Sequence, residues 1–300
     1  MNNILKSCTL CPRRCGADRA GGKYGFCGAG NDVRIARAAL HFWEEPCISG
    51  ESGSGTVFFS NCTMKCLFFQ NYEVSTNNLG YEVTIDELAD IFIDLQKKGA
   101  NNINLVTPTH YVPQIISALD KARENGLILP VVYNTGGYEN VETIKMLDGY
   151  VDVYMPDFKY YNDYIAIKLS NAPKYAEYAM AATEEMYRQV GRAVLNGNGI
   201  MQKGVLIRHL MLPGFLRDSI KIIDYISGTY GNNVFFSLMS QYTPLRHIDE
   251  FESLNGKLKM KYYNFAVERC IENGMENVFI QEGEAADESF IPEFHGENDL

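Results

Sequence analysis

From residue 56 onward, short β-branched or aromatic runs alternate with amphipathic helical segments, and no other feature of this 300-residue chain constrains its fold as tightly. The runs fall at 56–60, 103–106, 131–133, 153–155, 205–207, 234–238 and 278–280. Helical periodicity lies between them, from about 84 and then near 115–123, 141–147, 171–190, 220–226 and 263–273. The first of these helices opens on Thr84 and Glu87, a capping-box pattern in which each residue satisfies a backbone N–H near the other. Its Ile85, Leu88, Ala89, Phe92 and Leu95 recur at helical spacing. Strands that alternate with helices predict βαβ units and a parallel sheet. Six or seven units without a Gly-x-Gly-x-x-Gly turn favour a complete or partial (β/α) barrel over a dinucleotide-binding fold. In a barrel, functional side chains gather at the C-terminal ends of the strands.

Composition narrows the function classes. With 46% hydrophobic and 21% charged residues, the chain can bury one sizeable core. Its net charge is -10 and it has no Lys/Arg run, which argues against binding nucleic acid by counterion release. No apolar stretch approaches the roughly 18 residues of a membrane span. The N-terminus also lacks the apolar core of a secretory signal, so a cytoplasmic protein is expected. A Cys-rich N-terminal element over 1–48 has little periodicity and reads as held by something other than a hydrophobic core. A Gly/Ser-rich stretch then opens the barrel, expected over 49–285, and an acidic tail follows at 286–300.

Eight cysteines in such a chain need a reason, because disulfides are rare in reducing compartments and metal binding is the better expectation. Six fall in two groups. Cys8, Cys11, Cys15 and Cys27 have the compact spacing of a tetrahedral structural zinc site or an iron–sulfur cluster, with four free thiols in a reduced loop as the plain alternative. Cys62 and Cys66 follow the first barrel strand, with three residues between them, where both can reach one metal centre.

The stretch Ser60-Asn61-Cys62-Thr63-Met64-Lys65-Cys66-Leu67-Phe68-Phe69-Gln70-Asn71 resembles the Cys-x3-Cys-x2-Cys signature of the radical S-adenosylmethionine (SAM) superfamily. It is most similar to the pyruvate-formate-lyase-activating-enzyme-like group, as is the opening Cys8-Thr9-Leu10-Cys11-Pro12-Arg13-Arg14-Cys15-Gly16. The segment from Leu40 to Pro46, with His41, Glu44 and Glu45, continues the likeness, which spans about residues 8 to 283. It implies a 4Fe-4S cluster held by three cysteines, SAM on the open iron, and a 5′-deoxyadenosyl radical that abstracts hydrogen. It also implies a protein or small-molecule substrate and an electron donor such as flavodoxin or ferredoxin. The third ligand position, however, is Phe69, whose side chain has no lone pair for iron. Three readings are open: the cluster is lost and the barrel keeps a SAM-, nucleoside- or partner-binding role; another thiol, with Cys47 nearest, substitutes; or the change is a variation on an active background.

The remaining site residues come from the same likeness, at the strand ends. Thr107-Pro108-Thr109-His110 replaces the superfamily's usual Gly-rich turn, and since Pro108 has no N–H, contact with SAM falls to carbonyls or the Thr109 hydroxyl. His110 could equally cap the following helix. Asn134 leads into the Gly136-Gly137 turn, which permits either close ligand approach or simply a tight bend. Asp157 and Lys159 resemble the Asp-x-Lys beside the SAM methionine moiety and are the expected catalytic pair, with a surface ion pair as the alternative. Arg208 and His209 follow on the next strand. Gln241-Tyr242 stands where activating enzymes proper carry a histidine.

Overall fold

The computed structural model describes residues 4–69 and 72–281. Gln70, Asn71 and the acidic tail expected at 286–300 lie outside them.

The elements run β1 (Val33–His41), α1 (Pro46–Ser49), β2 (Ser54–Phe59), α2 (Tyr72–Thr76), β3 (Tyr81–Val83), α3 (Ile85–Lys97), β4 (Ile103–Val106), α4 (Val112–Glu124), β5 (Val131–Thr135) and α5 (Val141–Lys145). They continue with β6 (Val153–Pro156), α6 (Asp163–Ser170), α7 (Tyr175–Val190), β7 (Val194–Leu195), β8 (Met201–Leu210), α8 (Leu216–Tyr230), β9 (Phe235–Met239), α9 (Met260–Glu272) and β10 (Val278–Ile280). The long helical segment expected over 171–190 begins at Tyr175 as α7, and a separate helix, α6, precedes it. Asn171 adopts a left-handed conformation that ends α6.

The strands form one sheet in the order β10-β9-β8-β6-β5-β4-β2-β1-β3, with β7 paired to β8 alone. From β2 to β10 along that path every pairing is parallel. Successive parallel strands therefore lie side by side, the winding of a barrel, but among the described residues β10 and β3 stay unpaired edges. The fold is a mixed α/β partial barrel whose sheet is not closed.

Residues 33–41, expected to be irregular, form β1, antiparallel to both β2 and β3. Val33, Ile35 and Ala38 bury into the main core together with Cys27 and Ala29, so the end of the Cys-rich region is tied to hydrophobic packing after all. Arg34, between Val33 and Ile35, points outward and bonds the Gly80 carbonyl at 2.6 Å and Glu82 at 2.8 Å.

Strand alternation divides the packing into two layers. Val131 and Tyr154 face the helices, where Leu88, Phe92, Ile115 and Leu119 complete the larger core. Burying each such side chain contributes about 1.5–3 kcal/mol. Val132, Val153, Met155 and Leu206 face inward and meet Cys47 and Ile48 of α1. Asn101 and Asn102 bind the Ser49 and Ile48 carbonyls at 2.6 and 2.8 Å, which seats α1 at the N-terminal end of the parallel strands as a floor. The Thr84 capping box is present, and it sets the start of α3. No helix among the described residues is long and apolar enough to cross a membrane.

Candidate functional site

Above the α1 floor, the C-terminal strand ends enclose a cavity of about 460 Å³. Cys62, Cys66 and Phe69 line it after β2, Thr107 and Thr109 after β4, Asn134 to Gly136 at β5, Asp157 and Lys159 after β6, and Arg208 on β8. Glu44 and Glu45 enter from the turn that leads into α1. The loop after β2 is held in an unusual course, with left-handed backbone at Asn61 and Lys65. The Asn61 N–H donates to the Val74 carbonyl at 2.8 Å and its side chain reaches Asn78 at 3.0 Å. That course turns both thiols toward one space.

Cys66 is buried, and the Ser170 hydroxyl donates to its sulfur at 2.9 Å. Burial pushes its thiol up to about 11, against the pull of the nearby Lys159 ammonium. Phe69, the residue at the third motif position, faces the same cavity with carbon alone. Cys47 does not line the cavity. It packs in the floor against Val132, Val153 and Met155, and burial pushes its thiol up to about 12. The structure therefore removes the substitution of Cys47 for the missing ligand.

The charged side of the cavity is one connected network. Lys159 Nζ donates to Asp157 Oδ2 at 2.6 Å, and Arg208 Nε donates to Asp157 Oδ1 at 3.0 Å. Arg208 also donates to Glu44 Oε2 at 3.0 Å and to the Asn134 side-chain oxygen at 2.7 Å. The remaining Glu44 oxygen accepts from Asn104 at 3.0 Å and Asn134 at 3.2 Å. Asp157 and Lys159 are each about 15% exposed, which sets the pair apart from a solvated surface bridge. Burial alone would raise the Asp157 carboxyl, but Lys159 and Arg208 outweigh it and hold the group below its ordinary value. Burial likewise opposes the Lys159 charge, and Asp157 more than compensates.

Behind this face, the Tyr175 hydroxyl accepts from the Lys159 N–H at 2.8 Å and lies 2.8 and 2.9 Å from the Asp157 and Gly136 carbonyls. Gly137 has a φ of 79°, and a Cβ there would overlap the Asp157 carbonyl oxygen, so the second glycine serves close backbone approach. Thr109 lines the cavity while its hydroxyl donates away from it, to Glu139 Oε1 at 2.5 Å; Thr135 donates to the same oxygen. Glu139 is fully buried, its Oε2 has no partner, and burial pushes its carboxyl up to about 7. His110 does not cap a helix. Its ring meets the Ser60 carbonyl at 2.9 Å, and burial pushes it down to about 3. His209 is similarly enclosed between Phe158 and Ser219.

The N-terminal cysteines lie apart from the cavity, strapped to the barrel where Asn140 and Thr143 donate to the Thr9 and Leu10 carbonyls, each at 2.7 Å. Cys8, Cys11 and Cys27 are buried and Cys15 is exposed. Burial first, and then neighbouring thiols, raise Cys11 to about 12 and also raise Cys27. The neighbours are Cys27 and Cys8 for Cys11, and Cys8 and Cys15 for Cys27, so the four share one neighbourhood. Buried Arg19 braces it, donating to Gly30 at 2.6 and 2.8 Å and to the His110 carbonyl at 2.5 Å. Among the described residues, no three His, Cys, Asp or Glu side chains converge closely enough to hold a metal ion, in this element or in the cavity.

Sequence reasoning placed Cys62, Cys66, Asn134, Asp157 and Lys159 in the site through local motifs, and the cavity brings them together. It gave Glu44 no role of its own and left out Glu139 and Tyr175. The only signal for Glu44 was its position in the Leu40–Pro46 likeness; nothing local marks the other two.

No protein-family model matches the chain. It is 29% identical over 291 residues to an uncharacterized protein of Methanocaldococcus jannaschii, an alignment that covers 92% of this chain and 78% of the relative. Among solved structures it resembles methylornithine synthase, with a TM-score of 0.46, 14% identity, and 73% and 67% of the two chains covered. It also resembles Streptococcus suis SuiB bound to S-adenosylmethionine, with a TM-score of 0.48 and 14% identity over 74% of this chain and 48% of SuiB. The FeFe-hydrogenase maturase HydG gives a TM-score of 0.47 and 16% identity over 71% of this chain and 47% of HydG. The chain thus spans about half the length of the last two.

Proposed function

We propose that this chain is a radical SAM-type protein, related to the glycyl-radical-enzyme activating enzymes, that binds SAM in the cavity at its strand ends. One observation carries the reading: both motif thiols, Cys62 and Cys66, line the same cavity as Asp157, Lys159, Thr109 and Asn134. The volume of about 460 Å³ lies within the range of small-molecule sites. The Asp157 carboxylate and Lys159 ammonium complement the amino and carboxylate groups of the SAM methionine end by charge-assisted hydrogen bonds. Arg208 and Glu44 fix the carboxylate from behind, and Tyr175 fixes the backbone that carries both groups.

The residues present suit SAM and fall one thiolate short of a three-cysteine 4Fe-4S cluster. Phe69 in the lining favours a second reading, a barrel that has lost the redox cluster and serves as a SAM-, nucleoside- or partner-binding module. The N-terminal cysteines are soft donors in a shared neighbourhood, and a zinc ion or a second iron–sulfur cluster there would have to draw them closer together than they stand. Gln241-Tyr242 at the end of β9 points to a partner other than pyruvate formate-lyase. A cytoplasmic setting suits eight free thiols.

The test is anaerobic reconstitution with iron, sulfide and zinc quantitation, and electron paramagnetic resonance of the reduced protein with and without SAM, on the native chain and on Phe69→Cys. A SAM-sensitive cluster signal in the native chain establishes the enzyme reading, with a flavodoxin or ferredoxin as donor and a protein or small-molecule C–H bond as target. A signal confined to Phe69→Cys establishes the binding module. No SAM-dependent signal in either, together with no SAM binding by calorimetry, refutes both.

A further inference from the structure

The cavity is lined by more carboxyl groups than cations. Three carboxylates, Glu44, Glu45 and Asp157, line it against two cations, Arg208 and Lys159. Arg208 gives one N–H from each of its nitrogens to Asp157, Glu44 and Asn134, and Lys159 is engaged with Asp157. Glu44 and Asp157 thus each hold a cation. Glu45 has no cation of its own: its Oε2 is buried without a hydrogen-bond partner, and its polar neighbours are the already engaged Arg208, the like-charged Glu44 and the Ser237 hydroxyl. A buried carboxylate oxygen with no donor is unfavourable unless the group is neutral or a cation arrives beside it.

We infer that Glu45 takes up the positive charge of the ligand, so that the cavity selects a cationic adenosyl compound over its neutral counterpart. The inference rests on the SAM reading above. SAM has a sulfonium, an ammonium and a carboxylate, and so carries one net positive charge. The methionine end meets Lys159 and Asp157, one charge each, and the sulfonium is left over, as Glu45 is on the protein side. S-adenosylhomocysteine has the same skeleton without the sulfonium methyl and its charge. Sinefungin carries an ammonium where SAM has its sulfonium methyl, which restores the charge with different atoms.

The experiment is titration calorimetry of the full-length protein, prepared anaerobically, with SAM, S-adenosylhomocysteine and sinefungin, on the native chain and on Glu45→Gln. The native chain binds SAM and sinefungin at least about tenfold more tightly than S-adenosylhomocysteine, an attraction of the size a partly desolvated charge pair supplies. Glu45→Gln brings the three within about threefold of one another. Comparable affinities for all three compounds in the native chain overturn the inference and leave the SAM reading standing, as does full selectivity in a folded Glu45→Gln. If none of the three binds, the SAM reading itself fails. The comparison among compounds on the native chain needs no variant and stands even if Glu45→Gln does not fold.

Discussion

Glu139 makes the stability of this protein depend on pH in a way that one substitution removes. Its side chain is fully buried behind Thr109 and Thr135, and burial lifts the carboxyl from an ordinary 4.5 to about 7 despite the hydroxyls that donate to it. In the unfolded chain the group titrates near its ordinary value. The folded state therefore binds the extra proton between those two values, and stability falls as pH rises through them. It is fully present below about pH 4.5 and lost once pH has passed about 7. At about 1.36 kcal/mol per pH unit, the interval corresponds to about 3 kcal/mol. Glu139→Gln keeps the shape and the acceptor oxygen for both threonines and carries no charge at any pH. Urea unfolding of the two proteins from pH 4.5 to 8.5 tests this. Near pH 4.5 they match within about 1 kcal/mol, and at pH 8.5 the variant is the more stable by about 3 kcal/mol. Groups other than Glu139 contribute equally to both curves and cancel in the difference. If the two stability profiles run parallel across the range, Glu139 titrates in the folded chain as it does in the unfolded one and the burial argument is wrong.

Gly137→Ala forces a side chain into a left-handed backbone and onto the Asp157 carbonyl oxygen. A loss of about 2–4 kcal/mol is expected in denaturant unfolding, with weakened SAM binding because the strand end carrying Asp157 and Lys159 must shift. Arg208→Met leaves Glu44 without its buried cation and takes one of two from Asp157. It costs about 3–5 kcal/mol at neutral pH, and adding Glu44→Gln in the same chain recovers part of that, as a double-mutant cycle reports.

What the sequence made legible is what local spacing encodes. The strand–helix alternation survives almost unchanged in the parallel sheet, and the ends of β2, β5 and β6 carry Cys62, Cys66, Asn134, Asp157 and Lys159 because each motif sits within a few residues of its strand. β1, β3 and β7 were the exceptions among the strands, and β1 is the longest of them. Val33 and Ile35 alternate with Arg34 and Ala36, but the pattern is short and set among glycines, arginines and cysteines, and its burial depends on pairing with β2 and β3. The network around Arg208 was illegible for a different reason. Glu44, Asn134, Asp157 and Arg208 come from four separate elements, and only the side-by-side winding of β5, β6 and β8 over α1 makes them neighbours. Glu139 and Tyr175 likewise belong to stretches with no motif, and their roles follow from burial and hydrogen bonding that composition does not encode.

Glu44 and Arg208 are 164 residues apart in the chain. Ribosomal synthesis at roughly 5–20 residues per second separates their emergence by roughly ten to thirty seconds. Throughout that interval β2, β4, β5 and β6 can already be assembling, while Glu44 has no guanidinium to meet and water must continue to solvate it. The interior of the half-made sheet therefore has to stay wet until β8 arrives and supplies the counter-charge that lets the floor close. A nascent chain stalled between residues 160 and 200 should hold its outer helices packed and its inner face open.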